Sequence, residues 1–152
     1  MHERKRGLRI LVVDDNYDGA TVLSVLLELM GHRTTTAYNG LEAVHAANRE
    51  RYDVVLLDLG MPIMDGFEAA AVIGQLRPAP ILIACSGWYD AESRRRTSDL
   101  GFSAHLRKPV GLDALEAALD LAYARPEDEP HSVWPRGFHR EMQGISHPNE
   151  LG

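Results

Sequence analysis

The residues best suited to chemistry stand where apolar runs end: Asp14, Asp15, Asp58, Ser86 and Lys108. Three carboxylates close together repel one another, and a divalent cation such as Mg²⁺, bound by carboxylates, waters and phosphate oxygens, removes that conflict. An ammonium group and a hydroxyl beside them add a positive charge and a hydrogen-bond donor for an oxyanion. We therefore interpret Asp58 as a nucleophile that becomes an aspartyl phosphate, because in-line phosphoryl transfer needs mainly positioning and charge neutralisation.

The elements that must position these residues alternate along the chain. Short apolar runs predict strands over residues 8–13, 32–37, 54–58, 81–85 and 103–107. Apolar residues at helical spacing predict helices over residues 20–30 and 112–125. Helices are also predicted over the alanine-rich residues 41–50, over residues 67–76 and over the very polar residues 91–100. This alternation predicts an α/β fold with a parallel sheet. Right-handed crossovers bring all strand ends to one edge, where the polar residues converge.

The alternating pattern covers residues 8–125, which we predict to form one domain. A basic arm, residues 1–7, precedes it. Residues 126–152 contain four prolines and three widely spaced histidines but little periodicity, so we predict a tail without its own core. The wide spacing of the histidines argues against a metal site in the tail.

Composition narrows the classes of function. The formal net charge is −6 over 152 residues, so the overall balance does not favour a nucleic-acid partner. The single cysteine, Cys85, excludes an internal disulfide and is expected to be buried. No apolar stretch is long enough for a signal peptide or a membrane span. These features predict a soluble cytoplasmic protein.

Four motifs together resemble the receiver domain of bacterial response regulators. They are Val12-Val13-Asp14-Asp15-Asn16, the segment from Leu56 to Gly66, Ser86-Gly87, and Leu106-Arg107-Lys108-Pro109. Each is moderately specific alone, and the four in this order at strand ends are highly specific. The resemblance implies a doubly wound, flavodoxin-like sheet of five strands in the order 2-1-3-4-5, with helices on both faces.

The resemblance also implies a role for each acidic residue. Asp58 looks like the phosphoacceptor, which receives phosphate from a histidine kinase or histidine phosphotransfer protein. Asp15 looks like a direct Mg²⁺ ligand, Asp14 like a ligand through water, and Gly60 like the residue that lends the metal its backbone carbonyl.

The remaining motif residues resemble the parts that sense the phosphoryl group. Ser86 is similar to the hydroxyl that moves towards it, and Lys108 to the lysine that pairs with one of its oxygens. Lys108-Pro109 resembles the cis peptide of the family. His105 departs from the pattern, because the family more often has Tyr or Phe there. Trp88 is bulky, and it and Gly60 resemble the two positions that tune loss of the phosphate in the family.

Three interpretations of function remain open. The first is a single-domain response regulator that switches a protein-interaction surface or relays phosphate. The second is a receiver-like binding module that works without phosphate, against which the complete acidic set argues. The third is a small phosphatase with an aspartate nucleophile, although such enzymes generally carry Asp-x-Asp on the first strand. The sequence leaves homodimerisation open, and the arginines at 94–96 are interpreted as a solvated helix face.

Overall fold

Five parallel strands form one sheet in the order β2-β1-β3-β4-β5, as the resemblance implies. A computed structural model describes residues 6–61, 65–87 and 91–124, with residues 91–93 described by their backbone alone. The strands are β1 (Arg9–Val13), β2 (Arg33–Ala37), β3 (Val54–Asp58), β4 (Ile81–Ser86) and β5 (Ala104–Arg107). The predicted boundaries agree to within one residue. Because β3 lies in the middle of the sheet, its end is flanked by the ends of β1 and β4.

Within the described residues, five helices connect and cover the strands. They are α1 (Tyr17–Leu29), α2 (Gly40–Arg49), α3 (Gly66–Ile73), α4 (Ala91–Asp99) and α5 (Leu112–Tyr123). Side-chain oxygens of Asn16, Asn39 and Asp65 cap the first three by accepting a backbone N–H of the first turn. Each of these caps lies between the carboxyl end of a strand and the first turn of the helix that follows it.

Alternate residues of the central strands fill two separate cores. On one face, Leu11, Val55 and Leu57 pack with the buried sides of α2 and α3. On the other face, Ile10 and Leu56 pack with α1 and α5. Burial on both faces explains why β3 is apolar at every position before Asp58.

The end of α3 differs from the prediction, which placed it at Leu76. The helix ends at Ile73, and Gly74 is its C-cap. Glycine is a poor helix former, so the chain turns three residues before the Arg77-Pro78 signal used in the prediction. The peptide bonds Arg77-Pro78 and Lys108-Pro109 are both cis, and the resemblance implied only the second.

The arginine-rich helix α4 is more than a solvated face. Arg95 and Arg96 are both exposed, as predicted, and the guanidinium of Arg96 also lies 3.7 Å from the centroid of the Phe67 ring on α3. Thr97 and Ser98 are buried. A cation–π contact therefore helps to hold this polar helix against its neighbour. None of the helices in the described part of the chain is both long and apolar enough to cross a membrane.

Candidate functional site

The three predicted acidic residues lie together at the carboxyl edge of the sheet. Asp58 is the last residue of β3, and Asp14 and Asp15 follow β1, whose Val13 pairs with Leu57. One carboxylate oxygen from each of the three lies within 4.8 Å of the others. Asp14 is buried, Asp58 is half-buried and Asp15 is exposed. We call these three residues the acidic cluster.

Lys108 follows the edge strand β5 and brings a positive charge to the acidic cluster. Its Nζ donates to Asp14 Oδ2 at 3.0 Å and lies 3.5 Å from Asp58 Oδ2. Its backbone N–H donates to the carbonyl of Ser86 at 2.8 Å. The ammonium group therefore bridges two carboxylates while its backbone is tied to the end of β4.

The electrostatic balance of the site leaves Asp58 hard to ionise. Burial and, to a smaller extent, the charge of Asp14 raise its pKa to about 6, against the opposing effects of Lys108 and the Gly60 N–H. Burial alone would lower the pKa of Lys108. Its hydrogen bond to Asp14 and the two nearby carboxylates outweigh that effect and raise it. The cluster thus has more negative charge than one ammonium group satisfies.

The chain after Asp58 folds back tightly against it. The Gly60 N–H donates to Asp58 Oδ1 at 3.3 Å, and the Gly66 N–H donates to the carbonyl of Leu59 at 3.3 Å. A Cβ on Gly66 would lie 2.3 Å from the Asp58 carbonyl oxygen and 2.8 Å from Leu59 Cα. Close approach of α3 to the strand end therefore requires glycine at 66. Sequence reasoning included this residue in a motif without finding its role.

Ser86 lies at the end of β4 and hydrogen-bonds to the residue that departs from the family pattern. Its Oγ is 2.8 Å from His105 Nε2 on β5, and either atom could be the donor. Ser86 is buried, whereas His105 is half-buried, and burial lowers its pKa to about 4. Sequence reasoning singled out both residues but not their contact. Trp88 lies outside the described residues, as do residues 126–152 and 1–5.

The donor set fits a hard divalent cation. Three carboxylates that can each offer an oxygen within 4.8 Å match the ligands that Mg²⁺ takes in proteins. The raised pKa of Asp58 reports the charge repulsion and burial that such a cation would offset. Lys108 alone leaves two carboxylates in excess.

The chain belongs to the response regulator receiver domain family, whose model matches residues 10–120. It is 31% identical over 128 residues to the transcriptional regulatory protein ZraR of Klebsiella oxytoca, a match covering 83% of this chain and 29% of ZraR. It is also 31% identical over 111 residues to sporulation initiation phosphotransferase F of Bacillus subtilis, covering 73% of this chain and 90% of that protein. The chain thus spans less than a third of the first relative's length and most of the second's.

The fold also matches solved receiver structures. The chemotaxis protein CheY4 of Vibrio cholerae superposes with a TM-score of 0.70 at 26% identity, covering 78% of this chain and 99% of that one. Receiver domains are signalling domains of two-component systems. They bind Mg²⁺ at an acidic pocket and interact with histidine kinases and phosphotransfer proteins.

Proposed function

We propose that this chain is a response regulator that accepts a phosphoryl group on Asp58. The observation that carries the proposal is the position of Lys108, whose Nζ contacts the Asp14 and Asp58 carboxylates beneath the open edge of the sheet. An ammonium group at this position can form an ion pair with an oxygen of a phosphoryl group bonded to Asp58. The acidic cluster supplies the matching metal ligands.

The proposed step is an in-line displacement at phosphorus. An Asp58 carboxylate oxygen attacks the phosphorus of a phosphohistidine or acyl phosphate and forms a P–O bond. The bond to the leaving nitrogen or oxygen breaks, and its electron pair leaves with that atom. Lys108 and the Ser86 hydroxyl donate to oxygens of the transferred group.

The metal ligands proposed for this site are Asp14, Asp15, Asp58 and the backbone carbonyl of Gly60. When bound, Mg²⁺ would neutralise carboxylate and phosphoryl charge during transfer. We propose Asp15 as a direct ligand and Asp14 as a ligand through water. The hydrogen bond between Asp14 and Lys108 supports this division, because it already occupies one oxygen of Asp14.

The phosphoryl donor we propose is a histidine kinase or a histidine phosphotransfer protein. The output is either an altered protein-interaction surface or transfer of the phosphate to a second histidine. We further propose that this receiver works without an attached output domain. The match to 90% of sporulation initiation phosphotransferase F supports that arrangement.

Incubation with acetyl phosphate and Mg²⁺, followed by intact-mass analysis, tests the proposal. We expect one added phosphoryl group in the wild type and none in Asp58→Ala. Asp53→Asn is the matched control, because Asp53 lies just before the opposite end of the same strand. It should accept phosphate as the wild type does.

Dependence on the metal completes the test. Removing Mg²⁺ with a chelator should abolish the adduct, and returning Mg²⁺ should restore it. A folded wild type that binds Mg²⁺ and takes no phosphate would contradict phosphoacceptor chemistry and favour a phosphate-independent binding module. Equal labelling of Asp58→Ala would place the phosphate on another residue.

A further inference from the structure

The amino edge of the sheet, at the opposite end of the strands from the acidic cluster, carries exposed arginines. β1 begins at Arg9 and β2 at Arg33, and these two residues pair in the register of the strands. Arg49 and Arg51 flank Glu50 between α2 and β3. All four arginines are exposed. We call them the arginine edge.

The charge of the arginine edge is only partly neutralised. The guanidinium of Arg9 forms an ion pair with Glu50, with Nη2 and Oε1 2.6 Å apart. Among the residues that the structure describes, no carboxylate lies within ion-pair distance of Arg33, Arg49 or Arg51. Guanidinium groups close to one another repel, and an anion that binds between them removes that repulsion. The edge is therefore suited to an anionic segment, although the whole chain has a formal net charge of −6.

The last described helix ends beside this edge. The hydroxyl of Tyr123, the last residue of α5, donates to the backbone carbonyl of Arg6, three residues before Arg9. Tyr123 also lines a cavity of about 440 Å³ together with His32, the residue before Arg33. The chain therefore leaves α5 close to the first residues of β1 and β2.

The residues that follow include three consecutive acidic side chains. Glu127-Asp128-Glu129 lies three to five residues beyond Ala124, the last described residue. An extended chain of that length reaches roughly 10–18 Å. Glu116 and Asp120 line the same cavity as Tyr123, and their charges repel the acidic segment from the cavity itself. The prolines on both sides of the segment lower the conformational entropy that it loses on binding.

We propose that Glu127-Asp128-Glu129 binds the arginine edge, so that the tail folds back across the side of the domain opposite to Asp58. Carboxylates and guanidinium groups form charge-assisted hydrogen bonds, often in pairs. The contact neutralises arginines that no described carboxylate reaches, and it covers a surface that would otherwise attract an external polyanion. The proposal concerns a different edge of the sheet from the phosphoacceptor and does not depend on phosphoryl transfer.

The carboxyl groups of the tail report the contact directly, whereas ion pairs between exposed groups change thermal unfolding little. NMR titration of the full chain at about 0.15 M salt, where the screening length is ~8 Å, measures their pKa values. Arg33→Gln/Arg51→Gln should lower the acid dissociation constant of at least one carboxyl group in Glu127-Asp128-Glu129 about twofold or more, because a nearby guanidinium favours the charged form. Glu141 and Glu150 are internal references and should change by less than about 1.2-fold.

Arg95→Gln/Arg107→Gln is the matched control, because it removes the same charge from two exposed arginines away from the amino edge. It should leave every carboxyl group of the tail within about 1.2-fold of the wild type. Equal effects of the two double variants, or no effect of Arg33→Gln/Arg51→Gln, would overturn the proposal. The ¹H–¹⁵N spectrum of each variant shows whether the domain is folded.

A second pair of variants leaves the described domain unchanged and uses heparin as a polyanion. Glu127→Gln/Glu129→Gln should bind heparin about threefold more tightly than Glu141→Gln/Glu150→Gln, which loses the same charge from the same tail. Equal heparin affinities would overturn the proposal. Wild-type heparin binding that requires Arg33 and Arg51, with unshifted carboxyl groups in the tail, would also overturn it and would assign the arginine edge to an external polyanion.

Discussion

At the scale of single residues, Asp58 is held where its own charge is costly. Its ordinary pKa is 3.8, and burial raises it to about 6 in the folded chain. The folded state therefore binds this proton more tightly than the unfolded state does. The stabilising effect of the proton is complete below pH 3.8 and is lost as the pH rises through 6. The position proposed for the chemistry of Asp58 therefore lowers the stability of the folded chain above pH 6.

The first prediction concerns this residue without Mg²⁺. We expect Asp58→Asn to raise the free energy of unfolding at pH 7.5 by about 1 kcal/mol, a discounted figure because water screens a carboxylate at an open edge. The gain should shrink towards pH 5, where the wild type becomes protonated. Urea unfolding at pH 5, 6 and 7.5 measures it. A gain independent of pH would contradict the assignment of the raised pKa.

The second prediction concerns Lys108. Its ammonium group opposes any cation that binds to Asp14 and Asp58, because like charges repel. We expect Lys108→Met to bind Mg²⁺ about three- to tenfold more tightly while its phosphorylation by acetyl phosphate slows at least tenfold. Isothermal titration calorimetry and intact-mass kinetics measure the two effects.

Lys108→Arg is the matched control, because it keeps the charge. Its Mg²⁺ affinity should stay within twofold of the wild type. Weaker Mg²⁺ binding by Lys108→Met would mean that the lysine supports the acidic cluster structurally rather than competing with the metal.

The proximity of Asp14, Asp58 and Lys108 was predictable from sequence. Each stands at the end of a strand or directly after it, and parallel strands end at the same edge of the sheet. The contact between Ser86 and His105 was not. It depends on the register of β4 against β5 and on side-chain rotation, and neither follows from the alternation of apolar and polar residues. The only indication of this contact in the sequence was that Ser86 and His105 are polar residues on neighbouring strands.

At the scale of elements, the start of α3 lies close to the end of β3. The helix begins at Gly66 with Asp65 as its cap, and the Glu68 carboxylate accepts the backbone N–H of Asp65. This reciprocal cap and the missing Cβ place the first turn against the backbone of Asp58 and Leu59.

The third prediction follows from that contact. Gly66→Ala should lower the free energy of unfolding by about 1–3 kcal/mol, the usual cost of overpacking. It should also slow phosphorylation, because the backbone of Asp58 must shift. Gly87→Ala is the control, since a Cβ at Gly87 meets no atom of the described residues within 4 Å and should change stability by less than about 0.5 kcal/mol. Equal effects of the two substitutions would show that close approach at 66 is not what requires glycine.

The strands were easier to predict than the ends of helices. The residues of β3 before Asp58 form a continuous apolar run. Such a short run, buried between two helical layers, favours a strand over other secondary structure. The end of α3 was wrong by three residues because Gly74 ends the helix before the proline signal is reached. Arg96 is exposed, as predicted, but its contact with Phe67 was not predicted, because Phe67 lies on a different helix and local periodicity does not reveal such a contact.

At the scale of the whole molecule, two cores on either side of one sheet make the domain a single packing unit. The last described helix, α5, supplies Leu115 and Leu119 to one of them. The predicted domain ends at residue 125, just beyond that helix. Residues 126–152 are predicted to have no core of their own.

The fourth prediction tests that boundary. Removing residues 126–152 should leave the thermal unfolding midpoint within about 2 °C of the full chain, because no predicted core residue is lost. Stopping at residue 111 is the matched comparison. It deletes α5 and uncovers the part of one sheet face that α5 covers beside α1, so it should not fold cooperatively. A large destabilisation on removing the tail alone would move the domain boundary towards the carboxyl terminus.

The hydrogen bond from Lys108 to Asp14 joins residues 94 positions apart in the chain. A ribosome adding roughly 5–20 residues per second needs about 5–19 seconds to make the residues between them. During that interval the nascent chain gains Asp15 and then Asp58 before the ammonium group that pairs with the acidic cluster. Products that end before residue 108 therefore meet the repulsion at the strand ends without even the partial compensation that Lys108 provides.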